Sequence, residues 1–241
     1  MERKIHAITG AFGYSGSHLA ARLLARGVPV RTLTGHADRP DPFGGRVEVR
    51  PLRFEDPAAL RAALAGVRVL YNTYWIRFEH GASTFARAVE NSRALLRAAA
   101  DAGVERIVHV SITNPTPDSP LPYFRGKAAV EASLRDLGVS HAILRPAVFF
   151  GGRDVLVNNI AWLLRRLPAF GLVRGAYGLR PIHVEDFARL AEAYGEATGD
   201  VTVDAVGPEA LRYDDLVRVV ARAVRSRVAV VGVPTWVLLA A

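Results

Sequence analysis

Residues 8–16 read Ile-Thr-Gly-Ala-Phe-Gly-Tyr-Ser-Gly and follow directly on an apolar run, Ile5 to Ile8. Glycines at Gly10, Gly13 and Gly16 then open a helical pattern carried by Leu19, Leu23 and Leu24. Strand, glycine-rich turn and helix N-terminus in that order bring bare backbone N–H groups and the positive end of a helix dipole up to a pyrophosphate. The spacing is G-x-x-G-x-x-G, not the G-x-G-x-x-G of most dinucleotide folds. Glycines alone make only a turn. Their place after the first strand of an α/β pattern is what points to a dinucleotide.

The rest of the chain supplies that pattern. Strand candidates are Lys4–Ile8, Val28–Leu33, Val47–Pro51, Val67–Asn72, Ile107–Ser111 and His141–Leu144. Helical periodicity fills the gaps at Ser17–Arg26, Pro57–Leu64, Ser83–Ala102 and Tyr123–Leu137. Gly27, Gly66, Gly103 and Gly138 each follow a helical stretch, where a left-handed C-terminal cap wants glycine. Six strands alternating with helices predict an α/β fold, a Rossmann-type doubly wound parallel sheet with its ligand at the carboxyl ends of the strands. After Gly151 the alternation loosens. A helix is expected at Val155–Leu167, a Gly- and Arg-rich loop at Phe170–Arg180, a helix from about Val184 to Tyr194, a strand at Val201–Val206 and a helix at Tyr213–Val224. The expected organisation is a dinucleotide-binding core over residues 1–150. Residues 151–241 form a small substrate-binding region interleaved with that core. The apolar end, Trp236 to Ala241, is either a docked terminal element or the cut end of a longer protein.

Composition narrows the function. No segment approaches the ~18 consecutive apolar residues of a membrane span. The chain enters a strand almost at once, without a signal-peptide pattern, so a soluble cytoplasmic protein is expected. There is no cysteine, hence no disulfide framework and no thiolate nucleophile or metal site. The seven histidines are scattered without ligand spacing, so no metal is expected. The net charge of +8 comes almost wholly from arginines spread along the chain. It forms no basic run and no nucleic-acid module, so no nucleic-acid partner is expected. The expected partner is a small-molecule substrate, with the chain a monomer or a homodimer.

Only two lysines occur, Lys4 and Lys127. An internal lysine in an arginine-using chain suggests a need for a compact ammonium. Tyr123 and Lys127 stand four residues apart, on one face of a helix. A free phenol, with a pKa of ~10, is a poor base near neutrality. A neighbouring ammonium favours the phenolate and brings that pKa toward working range. Ser111 and Thr113 lie just past the fifth strand and offer hydroxyls for a developing alkoxide.

These residues and two later motifs together resemble the short-chain dehydrogenase/reductase superfamily. The similarity is to its extended and atypical branch, which includes NAD(P)-dependent epimerase/dehydratase-like, NmrA-like and complex I accessory-subunit-like proteins. The marks are Thr9-Gly-Ala-Phe-Gly-Tyr-Ser-Gly16, Val110-Ser-Ile-Thr113, Tyr123-x-x-x-Lys127, Leu144-Arg-Pro-Ala-Val-Phe-Phe-Gly151 and Pro181-Ile-His-Val-Glu-Asp186. The resemblance implies that Tyr123 is the acid/base and Lys127 its partner and ribose ligand. It implies Thr113 as the substrate-orienting hydroxyl, Ser111 as its support, and Arg145 and Pro146 near the nicotinamide. The implied activity is hydride transfer between NAD(P) and a carbonyl or alcohol carbon. The alternative is a non-catalytic NAD(P)-binding sensor or accessory protein.

The chain departs from the family pattern in three places, and the first and third of them motivate that alternative. Thr113 and Tyr123 are ten residues apart with four prolines between them, a short and stiff link. Arg53 stands about where the family has an adenine-contacting aspartate. Asn72-Thr-Tyr-Trp75 replaces small residues after the fourth strand. Expected cofactor ligands are Gly10, Phe12, Gly13, Tyr14, Ser15, Gly16, Thr34, Arg39, Asn72, Thr73, Lys127 and Pro146. Thr34-Gly35-His36 lacks the acid that holds a ribose 2′-hydroxyl, and Arg39 follows to meet a 2′-phosphate, which favours NADP over NAD. Expected substrate contacts are Tyr74, Trp75, Phe149 and Asn158. Tyr74, Trp75 and Phe78 fit equally well as a wall of an apolar substrate pocket, as closure of the nicotinamide site or as core packing.

Overall fold

The computed structural model describes residues 4–36, 38–173 and 178–233. Along the chain run β1 (Ile5–Thr9), α1 (Tyr14–Ala25), β2 (Val30–Thr34), β3 (Val47–Pro51), α2 (Pro57–Leu64), β4 (Val67–Asn72) and α3 (Phe85–Asp101). Next come β5 (Arg106–Val110), α4 (Pro122–Arg135), β6 (Ser140–Leu144), β7 (Phe149–Phe150), α5 (Leu156–Arg166) and β8 (Ala169–Val173). The last are β9 (Gly178–Leu179), β10 (Ile182–His183), α6 (Val184–Glu196), β11 (Val201–Val203), β12 (Leu211–Arg212), α7 (Tyr213–Ala223) and β13 (Ala229–Val233). The expected terminal segment, Trp236 to Ala241, lies outside the described residues.

Short apolar strands that follow helices must pair in parallel and be covered on both faces. Accordingly, a parallel seven-stranded sheet has the order β11-β6-β5-β4-β1-β2-β3. The order reverses between β1 and β4, and the crevice past their carboxyl ends is where such sheets bind ligands. On one face, Leu60, Leu64, Leu95, Leu96, Val130 and Leu134 of α2, α3 and α4 meet Ala7, Leu33, Leu70, Ile107 and Ile143 of the strands. Elsewhere in this unit α1 packs on α6. Glu192, 3% exposed, clamps the two helices by accepting from Arg22 Nε at 2.7 Å and Arg26 Nη1 at 2.8 Å. The expected helix-ending glycines Gly27, Gly66, Gly103 and Gly138 all take positive φ, between 67° and 75°.

The chain divides into two units, residues 1–146 with 184–205, and residues 147–183 with 206–241. The first holds the sheet. In the second, α5 and α7 bury Ile160, Leu164, Leu216, Val217 and Val220 with Phe170 and Leu172 of β8. Here the sequence expectation needs correction. The segment read as a loop, Phe170–Arg180, contains most of β8 and all of β9. β8 pairs in parallel with β13, a strand not expected at all, and β9 pairs antiparallel with β12. Their pairing partners are distant in sequence, so no local signal marked them. Helix α1 also begins at Tyr14, three residues before its expected start. The strand expected to run to Val206 ends at Val203.

Candidate functional site

The glycine turn, the exits of β4 and β5 and helix α4 belong to the first unit, around the carboxyl edge of its sheet. The glycine turn is built by close backbone approach. Gly10, with φ at +77°, accepts from Gly13 N at 2.8 Å, and Gly10 N reaches back to Leu33 O of β2 at 2.9 Å. A Cβ on Gly16 would stand 2.3 Å from Gly10 O, so only glycine lets α1 start against the turn. Gly13 caps α1 with no side-chain acceptor, and no acidic residue lies in the first turn, where Tyr14 and Ser15 stand. The start of α1 is therefore a helix N-terminus without a capping side chain, the kind of place that suits an anion. Phe12 packs near the Phe43 ring at 6.3 Å. Arg39 comes over the same turn, its Nη1 being 3.7 Å from where a Cβ of Gly13 would lie. Thr34 Oγ1 accepts from His36 N at 3.0 Å and so shapes the turn after β2.

At the exit of β4, Thr9 Oγ1 accepts from Thr73 N at 2.7 Å and Tyr74 N at 3.0 Å, while the Thr73 hydroxyl donates to Thr9 O. Asn72 is fully buried. Its Oδ1 accepts from Tyr74 N at 3.1 Å and its amide lies 3.1 Å from His109 Nδ1. Asn72 and Thr73 thus fasten the strand ends together. Tyr74 turns toward Phe54, with ring centroids 4.5 Å apart, and its hydroxyl accepts from Asn91 Nδ2 at 2.9 Å.

Helix α4 carries Tyr123 and Lys127. Pro122 sits in its first turn, which suits a residue without an N–H. Lys127 is 2% exposed, donates to Val110 O at the end of β5 at 2.8 Å, and lies 4.5 Å from the Trp75 ring centroid. Tyr123 meets Trp75 edge-on at 5.9 Å and Phe85 at 5.5 Å. Ser111 is buried beside this edge, with its N donating to Leu144 O at 2.7 Å. Thr113 N donates to Pro146 O at 3.1 Å, which ties together two predicted site residues. Phe149 lies in β7 and Asn158 in α5, both in the second unit. The Asn158 amide donates to Gly152 O at 3.0 Å and Asp154 O at 2.7 Å, closing the start of α5.

Sequence reasoning passed over three of these residues. Phe85 completes the aromatic wall, and the i, i+3, i+4 face of α3 was its only signal. Glu131, one turn beyond Lys127, is 1% exposed and accepts from Arg145 Nε at 2.9 Å and Nη2 at 2.6 Å, and from Arg135 Nη2 at 2.9 Å. The Arg145 guanidinium, expected near the nicotinamide, is held by this carboxylate. His109, fully buried in β5, lies behind Lys127.

Burial governs the electrostatics. It pulls Lys127 from 10.5 down to about 7, against the opposing pull of Glu131. It also pushes the Tyr123 phenol up, with Arg77 opposing. The lysine-driven lowering of the phenol expected from spacing is therefore not the balance found here. The ammonium faces Val110 O and the indole. His109 is held neutral by burial and then by Lys127. Burial raises Glu131, but its hydrogen bonds from Arg145 and Arg135 outweigh that and hold it low.

Trp75 Nε1, His109 Nε2 and Ser111 Oγ are buried without a partner in hydrogen-bond geometry. Unpartnered polar atoms beside a buried ammonium, with a helix N-terminus that lacks a side-chain cap on the same sheet edge, fit the hydroxyls and phosphates of a dinucleotide. Among the described residues no group of His, Cys, Asp or Glu is placed to hold a metal ion. No helix among them is long and apolar enough to cross a membrane.

Sheet order, glycine turn and the Tyr123–Lys127 helix define a dinucleotide-binding α/β protein. Residues 10–157 match the NAD(P)H-binding family, and the chain belongs to that family. It is 31% identical over 210 residues to the (4-alkanoyl-5-oxo-2,5-dihydrofuran-3-yl)methyl phosphate reductase of Streptomyces griseus, covering 85% of this chain and 68% of that protein. It is 24% identical over 220 residues to the NADH dehydrogenase [ubiquinone] 1 alpha subcomplex subunit 9 of Dictyostelium discoideum. That match covers 88% of this chain but only 61% of the subunit's length. The solved structure of MoeE5 with UDP-glucose and NAD shares the fold, with a TM-score of 0.79 at 20% identity over 95% of this chain and 85% of that one.

Proposed function

We propose that this chain is an NAD(P)-dependent oxidoreductase or epimerase of the short-chain dehydrogenase type, working most readily as a carbonyl reductase in the cytoplasm. The observation that carries the reading is the bond from Lys127 Nζ to Val110 O, 2.8 Å long. It fastens the Tyr123 helix to the exit of β5, on the same sheet edge as the glycine turn.

In this reading the N-terminus of α1, beside the glycine turn, holds the pyrophosphate, and Lys127 and Thr73 lie on the ribose side. A bound nicotinamide dinucleotide supplies or accepts the hydride. Tyr123, kept protonated by burial, gives its proton to the carbonyl oxygen of the substrate. Ser111 and Thr113 orient that oxygen. Arg39, lying over the glycine turn, favours NADP through a charge-assisted bond to a 2′-phosphate. The partner is a small-molecule substrate, and the reductase relative from Streptomyces supports a reduction. The test is NADPH oxidation with a panel of carbonyl compounds. Turnover lost in Tyr123→Phe, with cofactor binding kept, is expected, and turnover unchanged in that variant overturns the reading.

A second reading has one observation in its favour. The Trp75 face lies over Lys127, which is 2% exposed, so the ammonium as placed is covered. A protein that binds NAD(P) without exchanging hydride fits this, as does the similarity to the Dictyostelium subunit. Tight cofactor binding with no turnover across the panel is its signature.

A further inference from the structure

Two groups lie directly against the Lys127 ammonium. Its Nζ donates to Val110 O at 2.8 Å, and the Trp75 ring centroid lies 4.5 Å away. An ammonium carries three donors, and a ring face satisfies charge without fixing a hydrogen bond. Trp75 is itself held by rings and packing. It stacks near-parallel with Phe85 at 6.4 Å and meets Tyr123 edge-on. Its Nε1–H is buried with no acceptor, so the indole can leave this place without breaking a hydrogen bond.

The residue before Lys127 makes room for the indole. A Cβ on Gly126 would lie 3.1 Å from Trp75 Cη2 and 3.3 Å from Trp75 Cζ2, with Val89 Cγ2 at 3.2 Å. Glycine inside Tyr123-Phe-Arg-Gly-Lys127 is therefore what seats the indole against α4.

We propose that Trp75 is a positioning residue for Lys127: its indole face holds the ammonium against the exit of β5 and covers it, and it withdraws when the ribose of a dinucleotide takes that ammonium. This rests on the dinucleotide reading given above, and the experiment separates the two.

Only two lysines exist in the chain, so amine chemistry reports on Lys127 with an internal standard. Lys4 has a side-chain exposure of 60%. The protein is reductively methylated with formaldehyde and cyanoborohydride, and each lysine is followed by peptide mass spectrometry. Lys127 is expected to react at least ~10-fold more slowly than Lys4 in the native chain, the ratio reporting local opening. Trp75→Leu removes most of that protection, and Trp75→Phe, which keeps a ring face, restores most of it. Gly126→Ala displaces an indole that is still present and speeds Lys127 labelling. Equal protection in the native chain and Trp75→Leu, with unchanged circular dichroism, overturns the covering role.

A second arm uses Trp162→Phe with Trp236→Phe, which leaves Trp75 as the one tryptophan. Saturation with NADP+, followed by calorimetry, is expected to red-shift its emission. Calorimetric binding with unmoved emission overturns the withdrawal. Absence of binding overturns the dinucleotide reading instead, and the labelling rates still decide where the indole sits.

Discussion

Glu131 and Arg145 form a two-armed ion pair in the first unit, with Nε at 2.9 Å and Nη2 at 2.6 Å from a carboxylate that is 1% exposed. It ties α4 to the end of β6, so the helix carrying Tyr123 and Lys127 is anchored one turn beyond the lysine. Removing Arg145 leaves a buried carboxylate with Arg135 as its remaining charged partner. Arg145→Met is expected to cost about 2–4 kcal/mol in urea unfolding at neutral pH, since a broken buried pair leaves an uncompensated charge.

The same pair sets an acid limit. The folded pKa of Glu131 is held below its ordinary 4.5 because hydrogen bonds from Arg145 and its neighbours outweigh burial. A depressed carboxylate contributes stability above its unfolded pKa and loses it as pH falls through the folded value. Glu131→Gln is therefore expected to show a flatter stability curve than the native chain below about pH 4.5. Parallel curves in that range would contradict the assignment.

Lys127 has the opposite sign. Its pKa falls from 10.5 to about 7 on folding, so the unfolded chain binds more protons between those values. Stability rises with pH across that window, and the cost of burying this lysine is fully present below pH 7. Lys127→Met is expected to stabilise the protein by about 1–3 kcal/mol at pH 6, a gain that shrinks as pH approaches 10. Thermal unfolding across pH 6–10 checks this, and a gain that grows with pH contradicts it.

Arg39 tests the proposed preference for NADP. Arg39→Ala is expected to weaken NADPH binding by about 10-fold or more and leave NADH nearly unchanged, since only the former carries a 2′-phosphate. Calorimetric titration of both cofactors measures the ratio. Equal losses would assign Arg39 to the pyrophosphate.

Gly16→Ala tests the glycine turn. Its new methyl would meet Gly10 O at 2.3 Å, backbone against backbone, so α1 must move away from the turn. The expected cost is about 1–3 kcal/mol of stability, with loss of dinucleotide affinity beyond that of a neighbouring surface change.

Most of the strands β1 to β6 were legible because they are short apolar runs next to amphipathic helices, though no helix joins β2 to β3 and β3 is an exposed edge strand. The glycine turn was legible for the same local reason. The pair β8 and β13 was not, since Phe170 and Val230 lie far apart in sequence and neither run is bounded by regular helices. At the site, spacing placed Tyr123 and Lys127 on one helix. What the ammonium faces depends on Val110 and Trp75, which come from other elements. The same is true of Arg145, whose motif suggested the nicotinamide and whose guanidinium is claimed by Glu131.

Thr9 gives the Trp75 segment a fixed root. Its hydroxyl accepts the amides of Thr73 and Tyr74, the two residues directly before Trp75, and the Thr73 hydroxyl returns a bond to Thr9 O. The chain leaving β4 is thereby pinned to the tip of β1, one residue before Gly10. Any travel of the indole is then the swing of a short flap about a clamped edge, and the load of that swing falls on the hinge that also carries the glycine turn.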